Sequence, residues 1–160
     1  MTDLNMLTKC NLCIRNCNIN RYEKTGACNS GKNIKIARAA LHFYEEPCIS
    51  GKNGSGTVFF SNCNLKCVFC QNSDISQDGN GIEISIERLS EIFLELQHKG
   101  ANNINLVTPT SYVPQIIESL KIAKSNGLKI PIIYNTNSID SLDTIKSLNG
   151  LIDVYLPDFK

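Results

Sequence analysis

Cys63-Asn-Leu-Lys-Cys67-Val-Phe-Cys70 has C-x3-C-x2-C spacing. Three thiolates on one short loop can wrap one compact inorganic centre. A [4Fe–4S] cluster usually takes four cysteines. Three leave one iron without a protein ligand, and an open iron can bind substrate or cofactor, as an open position on a catalytic zinc does. Two alternatives stand beside this one: a zinc knuckle completed by Cys48 or a histidine, and accidental clustering. Zinc sites more often use paired C-x2-C units.

A second group, Cys10-x2-Cys13-x3-Cys17-x10-Cys28, opens on C-x2-C and suits a closed four-thiolate site. Structural zinc and an auxiliary iron–sulfur cluster both fit that spacing. Asn16, Asn18, Asn20, Gly26 and Gly31 make the surrounding segment loop-rich, hard to order without metal. Reduced, unliganded thiols are the alternative. Cys48 has no assignment. His42, Glu45 and Glu46 follow Ala39-Ala40-Leu41 on a short helix or extended arm. His at i with Glu at i+3 resembles a metal pair but reads as a satisfied surface cluster. The Gly51–Gly56 stretch is no phosphate loop, because no Lys-Ser/Thr follows its last glycine. Its glycines permit a close approach before the next strand. His98 suits a helix end and is given no function.

All eight cysteines lie in the first 70 of 160 residues. Hydrophobic residues make up 42% and charged residues 19%, a composition too apolar for disorder. The net charge of +1 gives no electrostatic case for nucleic acid or a membrane surface. No apolar run approaches the ~20 residues that span a bilayer. Met-Thr-Asp-Leu-Asn lacks the basic and apolar regions of a signal peptide. A cytoplasmic protein is expected, where thiols stay reduced and clustered cysteines read as metal ligands or catalysts.

The second half supplies the elements that must position these groups. Gly56–Ser61 is a β-branched and aromatic run, the first expected strand. Ser85 caps a helix with Leu89, Ile92, Phe93 and Leu96 on one face, ended by Gly100. Ile104–Val107 is the second strand. Pro114 starts a helix carrying Ile116, Ile117, Leu120 and Ala123, stopped by Gly127. Ile130–Tyr134 is the third strand, Leu142, Ile145 and Leu148 mark a third helix, and Ile152–Leu156 is the fourth strand. Such alternation implies an α/β fold with a parallel sheet. Sites in these sheets lie at the carboxyl ends of the strands. Here those ends are polar or cysteine: Ser61-Asn62-Cys63, Thr108-Pro109-Thr110, Asn135-Thr136-Asn137 and Pro157-Asp158.

C-x3-C-x-aromatic-C after the first strand of a βα series resembles the signature of the radical S-adenosylmethionine (SAM) superfamily, with Phe69 at the aromatic position. Several further segments resemble the pyruvate formate-lyase activating enzyme-related proteins. They are Glu45-Glu46-Pro47-Cys48-Ile49-Ser50-Gly51, Gly54-Ser55-Gly56, Cys70-Gln71-Asn72, Asn103–Thr110 and Leu156-Pro-Asp-Phe-Lys160. The resemblance implies a partial (βα) radical SAM barrel over 51–160, preceded by a cysteine-rich metal-binding segment over 1–50. It implies that Cys63, Cys67 and Cys70 hold a [4Fe–4S] cluster whose open iron is chelated by SAM. One electron would cleave the sulfonium to a 5′-deoxyadenosyl radical, which in activating enzymes abstracts hydrogen from a glycine of a partner. A glycyl radical enzyme and a flavodoxin- or ferredoxin-type reductant are the implied partners.

Phe69 would lie near the adenine. Superfamily members often carry a Gly-Gly-Glu turn after the second strand, and this sequence has Thr108-Pro109-Thr110 there, whose hydroxyls and carbonyls could serve instead. By analogy with turns of activating enzymes, Thr136 and Asp158 could bind SAM or a monovalent cation beside it. Related enzymes complete about six βα units, so a chain ending at Lys160 reads as truncated or split, with uncertain activity. Two other functions remain open. One is a non-catalytic zinc or iron–sulfur module. The other is a radical SAM enzyme acting on a small molecule or RNA.

Overall fold

The computed structural model describes residues 3–159. Lys160, the last residue of the Leu-Pro-Asp-Phe-Lys segment, lies outside them. In chain order the strands are β1 (Ile34–His42), β2 (Ser55–Phe60), β3 (Ile82–Ile84), β4 (Ile104–Val107), β5 (Ile132–Thr136) and β6 (Val154–Pro157). The helices are α1 (Pro47–Ser50), α2 (Ser73–Ser76), α3 (Ile86–His98), α4 (Val113–Ser125) and α5 (Leu142–Ser147). The six strands form one open sheet in the order β3-β1-β2-β4-β5-β6. Pairing from β2 through β4 and β5 to β6 is parallel, while β1 runs antiparallel to both β2 and β3. The fold is therefore α/β with a mostly parallel sheet.

Helices α3, α4 and α5 form where the apolar spacing and caps predict; α1 and α2 are single turns with no such signal. Ser85 Oγ accepts a hydrogen bond from the Arg88 amide at 3.1 Å and starts α3. Leu89, Ile92, Phe93 and Leu96 are buried. Each such side chain contributes about 1.5–3 kcal/mol on full burial. Gly100, at φ +85°, ends the pattern in a left-handed conformation that glycine adopts at no steric cost. Pro114 sits in the first turn of α4, where its missing N–H costs nothing. Val58 and Phe60 of β2, Ile104 and Leu106 of β4, and the stripes of α3 and α4 make one core. Alternation along the strands then sends Thr57, Phe59, Asn105 and Val107 to the opposite face of the sheet.

Three differences from the expected elements have physical causes. The expected third and fourth strands begin two residues later, at Ile132 and Val154. Asp153 accepts from the Ile132 amide at 2.8 Å, so the turn before β6 is spent bracing β5. The segment carrying Ala39-Ala40-Leu41 is a nine-residue strand, although alanine and leucine favour helix. Pairing of these residues with β2, in a strand whose start also pairs with β3, overrides that propensity. Finally, β2 begins one residue before the expected Gly56, because Ser55 pairs with His42 of β1 and donates to Asn103 Oδ1 at 2.6 Å. The close approach expected of the glycines is present, a Cβ on Gly56 standing 2.8 Å from the Asn103 carbonyl oxygen.

Residues before β1 wrap one end of this frame. A 3-10 turn at Asp3–Leu7 lies against α4, where Lys121 Nζ donates to Asp3 at 2.6 Å. Arg21 is buried, stacks over Tyr112 at 5.8 Å, and donates to the carbonyls of Ser30, Gly31 and Ser111. One guanidinium thus holds the loop containing Cys28 against the start of α4.

Candidate functional site

The chain turns sharply after β2, β4 and β5, and each of these turns has a non-glycine residue in the left-handed region. They are Asn62 at φ +71°, Thr108 at φ +57° and Ser138 at φ +63°. Asparagine tolerates that conformation. A β-branched threonine does not, and such a residue costs on the order of 1–3 kcal/mol. The Thr108 amide donates to the Asn135 carbonyl at 3.0 Å, which holds the strained turn against β5.

These turns surround a cavity of about 640 Å³. Cys63, Cys67, Phe69, Cys70, Thr108, Thr136 and Asp158 all line it. Cys63 is buried, Cys67 and Cys70 are half-buried, and Phe69 stands exposed at the mouth. Lys66, at φ +58°, reverses the chain between the first two thiols. Cys63 Sγ lies 3.4 Å from the Leu65 amide and 3.5 Å from Asn137 Nδ2, both donors. Cys70 Sγ lies 3.2 Å from Ser76 Oγ. These contacts fix where the two sulfurs stand on the cavity wall. Asp158 donates its amide to the Thr136 carbonyl at 2.8 Å, so the end of β6 is tied to β5. Asp140 accepts from Thr136 Oγ1 and, at 2.7 Å, from the Tyr134 hydroxyl, and so shapes the turn after β5.

Cys10, Cys13, Cys17 and Cys28 line a separate space of about 20 Å³, room for one water-sized body. Burial pushes the Cys13 thiol up, and the Asn64 carboxamide and Arg15 amide oppose the rise. Cys28 is held below the usual thiol range. Burial would raise it, but hydrogen bonds from Ser111 and Ser30 and the charge of Arg21 outweigh that. Among the described residues, no three His, Cys, Asp or Glu side chains stand ready to hold a single metal ion. A four-iron cube takes one thiolate per iron, so its ligands stand farther apart than those of one ion.

The two cysteine groups meet through Asn64. Its side chain acts on Cys13 and accepts from Asn137 Nδ2 at 2.8 Å, and its carbonyl accepts from Arg15 Nε. Sequence reasoning passed over Asn64, Asn137 and Asp140. The first two lie inside the cysteine loop and a polar strand end, which is the only local signal they carry. His42 and Glu45, read as a surface cluster, are on the cavity wall. Glu46 and Cys48 are exposed outside it. No helix among the described residues is long and apolar enough to cross a membrane.

A family model described as the radical SAM superfamily matches residues 57–158, from β2 to the end of β6. The uncharacterized protein MJ0674 of Methanocaldococcus jannaschii is 33% identical over 167 residues, covering 98% of this chain and 46% of that protein. The chain therefore spans about half the length of the curated relative it matches.

Proposed function

The chain belongs to the radical SAM superfamily, and we propose that it binds a [4Fe–4S] cluster and SAM in the strand-end cavity, as part of an enzyme that activates glycyl radical enzymes. The observation that carries this reading is the sharing of one cavity by three thiols of a single loop and the polar ends of β4, β5 and β6. When bound, cluster and SAM supply a 5′-deoxyadenosyl radical by one-electron cleavage of the sulfonium.

In this reading Cys63, Cys67 and Cys70 are the cluster ligands. Asn137 and the Leu65 amide orient Cys63. Thr108 and Thr136 offer hydroxyls and carbonyls to the polar end of SAM. Asp158 supplies a hard oxygen for the SAM amino group or a monovalent cation. Phe69 presents an aromatic face at the mouth, suited to adenine. The volume of about 640 Å³ falls in the range of pockets that enclose a drug-sized ligand.

Anaerobic reconstitution with iron and sulfide, followed by dithionite and SAM, tests the reading. Broad visible absorbance and 5′-deoxyadenosine are expected. Zinc in place of iron, with no nucleoside formed, would overturn it in favour of a non-catalytic module. The finer assignment takes a glycyl radical enzyme as partner and a flavodoxin or ferredoxin as electron donor. Incubation with both, read by electron paramagnetic resonance for a glycyl radical, tests it. Cys10, Cys13, Cys17 and Cys28 line one small space but do not stand at single-ion distances; they are proposed as a second, structural metal site that binding would draw together. Metal analysis of a Cys13→Ser variant, with one equivalent lost and the cluster retained, is the expected result.

A further inference from the structure

The cavity also holds a His–Glu pair that the reading above does not use. His42 ends β1, and Tyr44 and Glu45 follow in the turn into α1. All three line the cavity. The imidazole is framed edge-on by Tyr44 and Phe59, each with ring centroids 6.1 Å away. Its Nδ1 stands 3.3 Å from Glu45 Oε1, within ion-pair reach. That carboxylate is its charge partner, and Nδ1, a buried atom, makes no hydrogen bond of good geometry to any other group. Burial pushes the Glu45 carboxyl above the usual range; His42 opposes this and Glu46 adds to it. Two polar groups are thus fixed in an aromatic frame with bonding capacity unused. Buried polar atoms normally find partners, and one left open in a cavity marks a place for a ligand group.

The charges around the cavity narrow what that group can be. Among the described residues, Glu45 and Asp158 are the carboxylates on its wall, and no lysine or arginine lines it. Phosphates and carboxylates are recognised by arginine, lysine or long helix N-termini. Here an anion would meet Glu45 as a like charge in a partly desolvated place. A peptide N–H can donate to Glu45, and His42 Nδ1 can accept from a second N–H or donate to a carbonyl, according to its tautomer.

We infer that His42 and Glu45 are specificity-determining residues, which hold a neutral or cationic stretch of a peptide substrate and turn anionic side chains of that peptide away from their end of the cavity. This rests on the reading of the cavity as the site where a peptide glycine is modified, and it adds the residues that choose the peptide.

The test is calorimetric titration of the purified chain, before and after reconstitution, with short end-blocked peptides centred on glycine. The peptides differ at one position, which is serine, lysine, glutamate or phosphoserine. The serine and lysine peptides are expected to bind about 10-fold or more tightly than the glutamate and phosphoserine peptides. Glu45→Lys is expected to invert that order, and His42→Ala to weaken the serine peptide. Glu45→Gln, nearly the same shape, is expected to erase the preference for lysine over serine. Any of three results would overturn the inference: a phosphoserine peptide binding as tightly as the serine one, an unchanged order in Glu45→Lys, or no peptide bound at all. Binding of a phosphate-rich oligoribonucleotide in place of peptides overturns it as well. Binding constants are read apart from 5′-deoxyadenosine formation, so failure here leaves the radical SAM reading standing, and failure of nucleoside formation leaves these constants readable.

Discussion

Asn137, just past β5, donates through Nδ2 to Asn64 Oδ1 at 2.8 Å, and the same nitrogen stands 3.5 Å from Cys63 Sγ. One buried carboxamide thereby joins the end of β5 to the cysteine loop after β2, two strands away in the sheet. Asn137→Ala leaves Asn64 Oδ1 buried with only the weak, distant Cys63 thiol, 3.8 Å away, as a donor. A loss of about 1–3 kcal/mol in urea unfolding is expected. Cluster content after reconstitution should fall with it, because Cys63 loses both its orientation and a donor. An unchanged unfolding midpoint would contradict the structural part of this account.

Strain at Thr108 predicts opposite effects on stability and on cofactor binding. Thr108→Gly relieves the left-handed β-branched residue and should stabilise the free chain by about 1 kcal/mol. The same change removes a hydroxyl from the cavity wall, so the thermal stabilisation given by added SAM should shrink. Melting curves with and without SAM measure both. A glycine variant that melts lower without SAM would show that the threonine is not strained.

The cysteines should divide sharply by position. Cys67→Ala is expected to abolish the visible absorbance of the reconstituted protein and the formation of 5′-deoxyadenosine. Cys48→Ala should retain both, because Cys48 is exposed on α1 and does not line the cavity. Cluster retention in Cys67→Ala would return Cys48 to the ligand set.

Glu45 gives a pH dependence with a definite sign. Its carboxyl is held above the usual range by burial, with His42 opposing and Glu46 assisting. A carboxyl raised in the folded state binds its proton more tightly there than in the unfolded chain. Its favourable contribution is therefore present below the ordinary glutamate pKa and is lost as pH rises through the folded value. Glu45→Gln should melt higher than the native chain at pH 7, and the difference should close as pH falls below about 4. Paired melting curves across that range check it. A difference that widens toward acid would mean the carboxyl is instead favoured in its charged form.

Arg21→Lys tests how firmly the N-terminal segment is held. A single ammonium cannot serve three carbonyls in the fixed geometry of a guanidinium. With Arg21 only 2% exposed, the substitution should cost about 3 kcal/mol in urea unfolding. Faster alkylation of Cys28 should accompany it, since Arg21 braces the loop carrying that thiol.

Much of this architecture is local, and local features are legible in a sequence. Ser85 capping α3, the stripe Leu89-Ile92-Phe93-Leu96, the run ending at Phe60 and the C-x3-C-x2-C loop each depend on residues a few positions apart. Their order alone yields a parallel α/β sheet with thiols and polar groups at its strand ends. The site beyond the thiols depends on register. From Ile34, simple alternation would send Ile36, Arg38, Ala40 and His42 to one face of the sheet. A register shift between Ile36 and Arg38 breaks that alternation. Ile34 and Ile36 face the core, while beyond the shift Ala39 and Leu41 do. His42 is thereby carried to the cavity side, opposite Ser55. A shift of one residue moves every later side chain to the other face. Which face His42 takes is therefore decided by how β1 pairs with β2 and β3, and no window of sequence around His42 contains that pairing.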